Sequence, residues 1–388
     1  MRLVGTSAMG IRLPIISPKD DVINIVTDHV LQATKDAPLT TNDIIGVTEA
    51  LVAKGEGNFA TINDIATDVR TKFGGGDIGL VYPMLSRNRF YNILRGIAPG
   101  AKKLYVLLSY PHDEVGNPIM DIERLDEIMD ALPNRMVSAA EFVAVAGDYA
   151  LPFTGINYLK LYQEAGDNIE IYLSKDPRDI LKLTSNVLVG EIHSRARTQA
   201  RLLKAGAKTV LTLSDILNES INGSGFNAMY GVLGSNLSSD DTLKLFPNRA
   251  PEFVEKLQAS IHKKIGVTPE VLVYADGAFK DPVHGIWELA DPVVSPGHST
   301  RLTQLPDEIK LKLVADTVAG DLRGEDKHKA IAKAIKTKND TPEAFREGTT
   351  PRVYSDLLGS LCDLVGGSGD KGTPVVLIRG YFDDYTVE

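Results

Sequence analysis

The stretch VLVYADGAFKDP, Val271 to Pro282, decides how the rest of the chain is read. Four apolar or aromatic residues, Val271 to Tyr274, have the length and composition of a short buried strand, and the chain then turns polar with Ala275, Asp276 and Gly277. In open α/β sheets ligands collect outside the carboxyl ends of strands, and a carboxylate there can hold a divalent cation against phosphate oxygens. The same Asp-Gly pair also forms a turn without any chemistry, so the surrounding motifs have to decide.

Upstream, PEFVEKLQASIHKKIG (Pro251 to Gly266) predicts a helix opened by proline and closed by glycine. Before it, GSGFNAMYGVLGSNLSSDDTLKLFP carries a strand-like piece and a polar turn at Gly234, Ser235 and Asn236. Downstream lie GIWELADPVVSPG, with the sole tryptophan Trp287, and an amphipathic helical stretch from Pro306 to about Ala334. A C-terminal helix then ends in the loop GGSGDKG, Gly366 to Gly372, followed by the buried strand PVVLIRG. Such a loop can wrap a phosphate or ribose with backbone N–H groups. It does not complete a phosphate-binding loop pattern, because Lys371 precedes Gly372 and Thr373 follows; a plain helix-to-strand connector is the other reading.

Toward the N-terminus, GIRLPIISPKDD gives a short extended segment and VINIVTDHVLQAT a helix. LTTNDIIGVTEALVAKGEG runs from a turn into a buried strand, Ile44 to Thr48, and ends in Lys54, Gly55, Glu56 and Gly57. A lysine beside glycines after a strand places an ammonium near phosphate; a solvated surface lysine is the alternative.

From about 58 to 225 strand-like and helix-like patterns alternate. The candidate strands are Lys102 to Tyr110, Glu141 to Gly147, Asn168 to Ser174, Asn186 to Ile192 and Lys208 to Leu213, with helices such as SRNRFYNILRGI and SRARTQARLLKAG between them. This alternation predicts a largely parallel α/β layer. Arg87 and Arg89 are candidates for binding an anionic substrate, and His193 with Arg195 marks a strand-to-helix junction of the kind that holds anions; solvated helix faces are the alternative for both. Asp113 and Glu114 imitate a metal loop but sit among turn formers, His112, Gly116, Asn117 and Pro118.

With 388 residues the chain has room for two or three domains. A formal net charge of −9 argues against nucleic acid or an anionic membrane as the main partner, since both require a basic face. The single cysteine, Cys362, excludes an intrachain disulfide and a cysteine-based zinc site, and its helical spacing with Val353, Leu357, Leu361 and Leu364 marks a packed thiol. MRLVGTSAMGIRLPII has neither a signal-peptide pattern nor a membrane span, so the expected location is the cytoplasm.

In order and spacing, GIRLPI, DIIGVTEALVAKGEG, GVLGSN, TPEVLVYADGAFKDP and GTPVVLIRG resemble the coenzyme F420-0:L-glutamate ligase family. The resemblance covers about 1–57 and 226–388. It implies an α/β protein in which an α+β ligase core is split around an inserted α/β domain, 58–225, of unknown role. It implies GTP and Mn²⁺ or Mg²⁺ as cofactors, a small-molecule acceptor and L-glutamate as substrates, and a homodimer.

Carried over by position, the resemblance implies that Leu13, Pro14 and Ile15 line the nucleotide site, that Lys54 contacts phosphate and that Asp276 holds metal. Asp340 and Thr341, in NDTPEAF, match a second metal pair. Gly367, Ser368 and Gly369 fall in the nucleotide loop, with Ser368 where the family tends to place a Gln or Glu ligand. Lys280 is what remains of an arginine-rich continuation, a change that loses two-pronged recognition of phosphate or carboxylate. The alternatives left open are the same chemistry on another acceptor, such as a folate, and a nucleotide- or metabolite-binding protein without catalysis.

Overall fold

The computed structural model describes residues 3–18, 20–128, 131–132, 136–152, 154–278, 290–338, 352–367 and 369–386. The strand expected at Val271–Tyr274 forms over Glu270–Tyr274 and lies parallel to Ile44–Thr48, with Tyr274 opposite Thr48. These two are inner strands of a five-stranded sheet ordered Ser7–Ile11, Val375–Arg379, Ile44–Thr48, Glu270–Tyr274, Gly297–His298, in which every other pairing is antiparallel.

All five residues of Ile44–Thr48 are buried, as expected of a strand covered on both faces. Helices Val22–Ala33 and Ala250–Ile265 cover one face, packing Val26, Val30, Phe253, Val254, Leu257 and Ile261 against Ile45, Val47, Val271 and Val273. Helix Tyr354–Val365 covers the other, setting Leu358 and Cys362 against Ile44, Leu272 and Val376. A Cβ on Gly46 would stand 2.3 Å from Cys362 Sγ, so only glycine lets the helix approach this strand. Cys362 is therefore the packed thiol its spacing predicted, with burial and nearby Asp363 holding its proton on.

A second, six-stranded sheet lies between residues 78 and 212, in the order Val137–Ser138, Ile169–Leu173, Leu104–Leu108, Ile78–Val81, Asn186–Val189, Thr209–Thr212. Its last five strands are mutually parallel and the edge strand Val137–Ser138 is antiparallel. Numbered along the chain, the parallel strands run 3-2-1-4-5, the order of a doubly wound sheet whose direction reverses between Ile78–Val81 and Asn186–Val189.

One expected strand is not there. Glu141 to Gly147 belongs to helix Ala139–Ala146, where Ser138 and Glu141 form a reciprocal capping box and Gly147 ends the helix at φ 75°. The cap satisfies two amide donors that a strand would have paired elsewhere, and this outweighs the strand propensity of Phe142, Val143 and Val145.

A separate three-stranded antiparallel sheet is formed by Asn236–Ser239, Thr242–Lys244 and Phe59–Thr61. At its margin the Asn58 amide donates to the carbonyls of Phe226 and Phe246 and accepts from the Phe226 N–H, so the chain at 58 and at 226 runs side by side. Among the described residues no helix is long and apolar enough to cross a membrane.

Candidate functional site

The parallel register of Ile44–Thr48 and Glu270–Tyr274 makes their carboxyl ends coincide, so the next residues, Glu49 and Ala275–Asp276, leave the sheet at one corner. Glu49 opens helix Glu49–Glu56, and its buried carboxylate accepts from Lys244 Nζ at 2.8 and 2.9 Å. Asp276 is fixed through its backbone, its N–H donating to Asp291 Oδ2 at 3.0 Å and the next N–H, of Gly277, donating to Asp363 Oδ2 at 2.9 Å. A Cβ on Gly277 would meet Ser360 Cα at 2.8 Å, which explains the glycine after the aspartate.

The cation at this corner comes from the other sheet. Arg89 directly precedes helix Phe90–Ile97, in the segment that follows strand Ile78–Val81 at the reversal point. Its Nη2 donates to both carboxylate oxygens of Asp276, at 2.9 and 3.1 Å, and its Nη1 bonds Asp291 Oδ1. The carboxyl edge of the doubly wound sheet, where such sheets place ligands, thus abuts the carboxylates of the five-stranded layer.

Among these groups four carboxylates, Glu49, Asp276, Asp291 and Asp363, face two cations, Arg89 and Lys244. Burial pushes the Glu49 carboxyl up, Lys244 pulls it down, and Asp291 adds to the rise. Burial likewise raises Asp363, against the Gly277 N–H, with Asp291 raising it further and Arg89 lowering it. Burial alone would weaken the charge on Arg89, but Asp291 and Asp276 reverse that and hold the guanidinium cationic. Beside Arg89 a cavity of about 20 Å³ touches Gly234, Ser235 and Ala290, and the buried Ser235 Oγ has no hydrogen-bond partner among the described residues.

Several sequence-predicted residues meet near this corner. The Leu13 N–H donates to the Gly372 carbonyl at 3.3 Å, tying the LPI segment to the glycine-rich loop. Pro14 and Ile15 are exposed beside it. Gly367 and Thr373 bond each other's backbone across the loop, and a Cβ on the adjoining Gly366 would stand 2.4 Å from Tyr274 Oη, two residues before Asp276. Gly369 accepts from the Gly372 N–H.

Lys54 sits in the last turn of helix Glu49–Glu56 rather than in a glycine loop, and among the described residues it forms no ion pair. The residue of that helix at the carboxylate corner is Glu49. Lys280, Ser368, Asp340 and Thr341 lie outside the described residues.

Two further clusters resolve. Arg87 takes no part in the corner, its Nε lying 3.4 Å from Asn88 Oδ1. The junction at His193 and Arg195 does hold an anion, and the anion is Glu114, whose carboxylate accepts from the N–H groups of Ile192, His193 and Ser194 before helix Arg195–Lys204. Asp113 is buried and structural, accepting from the N–H groups of Leu85, Val115 and Asn117 at 2.8, 3.0 and 2.9 Å.

The donor chemistry suits a hard divalent cation, since Asp276 and Asp291 offer only carboxylate oxygens. No three His, Cys, Asp or Glu side chains among the described residues gather as a metal cage. Mg²⁺ commonly takes one or two carboxylates and completes its shell with waters and substrate phosphates. In this structure the charged group on Asp276 and Asp291 is the Arg89 guanidinium.

The family model for F420-0:gamma-glutamyl ligase matches residues 10–380, and the chain belongs to that family. The match spans the 58–225 segment as well as the flanking regions in which the resemblance was read. A search of the curated proteins returned no match.

Proposed function

From membership in the F420-0:gamma-glutamyl ligase family, we propose that this chain uses GTP with Mn²⁺ or Mg²⁺ to join L-glutamate to an acceptor carboxylate through an acyl phosphate. The acceptor oxygen attacks the γ-phosphorus and GDP leaves; the glutamate amine then attacks the acyl carbon, phosphate leaves and the amine gives up a proton. The observation that supports this most is the convergence of the Leu13 segment, the Gly366–Gly372 loop and the Asp276–Asp291 pair at the carboxyl ends of two parallel strands.

Bringing a carboxylate against a γ-phosphate opposes two anions, and a bound metal would supply the positive charge that offsets the repulsion. Asp276 and Asp291 would hold it. The glycine-rich loop around Gly369 would cradle phosphate, with Leu13, Pro14 and Ile15 alongside. Lys54 remains a candidate phosphate contact, although its helical placement requires the nucleotide to extend along Glu49–Glu56. The Asp363 carboxylate, which burial makes more basic than an ordinary aspartate, is suited to accept the proton released by the amine.

The family name points to a deazaflavin acceptor, with a folate as the competing substrate of the same chemistry. One observation favours a binding protein without catalysis: the Arg89 guanidinium already pairs with both Asp276 and Asp291. Glutamate-dependent GDP release separates these readings, because a binding protein releases none and the two ligases differ in the acceptor that stimulates release. The same proposal makes the protein a cytoplasmic homodimer; a monomeric mass by light scattering removes the second part.

A further inference from the structure

We propose that Arg89 is an exchangeable counter-ion, a positioning residue through which the doubly wound layer holds Asp276 and Asp291 until a divalent cation takes the same two carboxylates. The proposal rests on the reading of this corner as the metal and nucleotide site.

The guanidinium meets both oxygens of Asp276 and one of Asp291, so it covers the faces that a cation would need. A two-pronged fork matches carboxylate geometry closely and is also the group best suited to phosphate. Its backbone is held firmly. The Arg89 N–H donates to Ser86 Oγ at 3.2 Å, the Ser86 N–H to Tyr162 Oη at 3.0 Å, and the Leu85 N–H to the buried Asp113 carboxylate at 2.8 Å. A Cβ on Gly190 would meet Pro83 Cα at 2.8 Å, so the two loops flanking the reversal point are also locked together. With the backbone fixed, the part free to move is the side chain itself.

The charge balance calls for exchange rather than simple loss. Arg89 sets one positive charge against the two carboxylates of Asp276 and Asp291, and withdrawing it without a replacement leaves the buried Asp291 charge poorly compensated. A divalent cation would bring two positive charges to the same two carboxylates and free a guanidinium beside the place where phosphate oxygens would complete the metal shell. A clamp that only fastens the two layers would have no reason to respond to metal.

The test compares the full-length wild type with Arg89→Gln and Arg89→Lys, without nucleotide, by thermal unfolding and by calorimetric titration with Mn²⁺ alone. The expected result is that Arg89→Gln melts lower than wild type in chelator and regains most of the loss in Mn²⁺, binding the ion at least tenfold more tightly than wild type. Adding Asp276→Asn should remove that gain. Equal Mn²⁺ affinity in wild type and Arg89→Gln, or melting of the variant that ignores Mn²⁺, overturns the proposal.

If Arg89→Gln does not fold, Arg89→Lys carries the comparison. It keeps the charge and loses the fork, so a smaller gain in the same direction is expected and no gain overturns the idea. GTP titration of the same samples separates the two claims: metal rescue without GTP binding keeps the exchange and defeats the nucleotide reading, whereas GTP binding without metal rescue does the reverse.

Discussion

Arg89 and Asp276 stand 187 residues apart in the chain, yet the guanidinium holds both oxygens of the carboxylate, at 2.9 and 3.1 Å. The pair joins the first strand-to-helix connection of the doubly wound sheet to the end of strand Glu270–Tyr274. Each partner makes the other's burial more tolerable, and with Asp291 the pair is one contact by which the two layers meet.

Asp276→Asn is expected to abolish turnover while leaving the fold intact. Arg89 retains Asp291, and the backbone bonds at 276 and 277 do not depend on the lost charge. Product formation followed by mass spectrometry, with circular dichroism as the control for folding, checks this; a folded variant of unaltered activity contradicts it.

Lys244→Met is expected to cost about 3–5 kcal/mol, because it strands the buried Glu49 carboxylate. Adding Glu49→Gln should recover most of that loss, since the double variant leaves no unpaired charge. Urea unfolding midpoints of wild type, the single variants and the double variant test the coupling; additive effects in the cycle would mean that the pair contributes little.

Glu191→Gln should stabilise the protein at pH 8 and not at pH 4. Burial raises the Glu191 carboxyl from 4.5 to about 7, against a hydrogen bond from Thr198 and with Glu114 adding to the rise. A raised folded-state value means that its contribution to stability is fully present below the unfolded value and is lost as pH climbs through about 7. Glutamine stays neutral throughout, so the gain at pH 8 should be about 1–2 kcal/mol after allowing for solvent screening. Thermal melts at the two pH values decide, and an equal gain at both rules out titration as the cause.

Gly234→Ala is expected to destabilise the fold and weaken metal-nucleotide binding together. Gly234 has φ +70°, and an added Cβ would stand 2.6 Å from the Phe246 ring and 3.1 Å from Asp291 Oδ1. The left-handed backbone alone costs about 1 kcal/mol or more, and the crowding displaces the carboxylate that Arg89 and the Asp276 N–H share. Unfolding midpoints and GTP titration in Mn²⁺ should both shift; unchanged values would show that the loop relaxes freely.

The central strands were legible because local pattern suffices for a short apolar run closed by a polar turn, as at Val271–Tyr274 and Ile44–Thr48. The capping glycine and opening proline likewise marked helix Ala250–Ile265. Glu141–Gly147 misled because alternating Phe, Val and Ala satisfy a strand pattern equally well. The deciding signal, Ser138 with Glu141 three residues on, lay just upstream.

The corner itself was legible only in part. Asp276 was marked by its place at a strand end, and Arg89 by its chemistry as an anion holder, but the anions it holds are the protein's own. Asp291, Asp363 and Glu49 carry no local signature: one lies inside the polar segment GIWELADPVVSPG, one lies on the helix of the packed cysteine, and one starts a helix, Glu49–Glu56, where the glycines around Lys54 pointed to a loop. Their meeting depends on strand register and on the docking of two sheets, which no spacing along the chain records.

The most direct measurement is calorimetric titration of GTP with Mn²⁺ or Mg²⁺ into wild type and Asp276→Asn, followed by glutamate-dependent GDP release from the same samples. The ligase proposal predicts metal-dependent binding that is lost in the variant, with GDP release in wild type once glutamate and an acceptor are present. Wild type that binds neither GTP nor ATP in the presence of metal would contradict it.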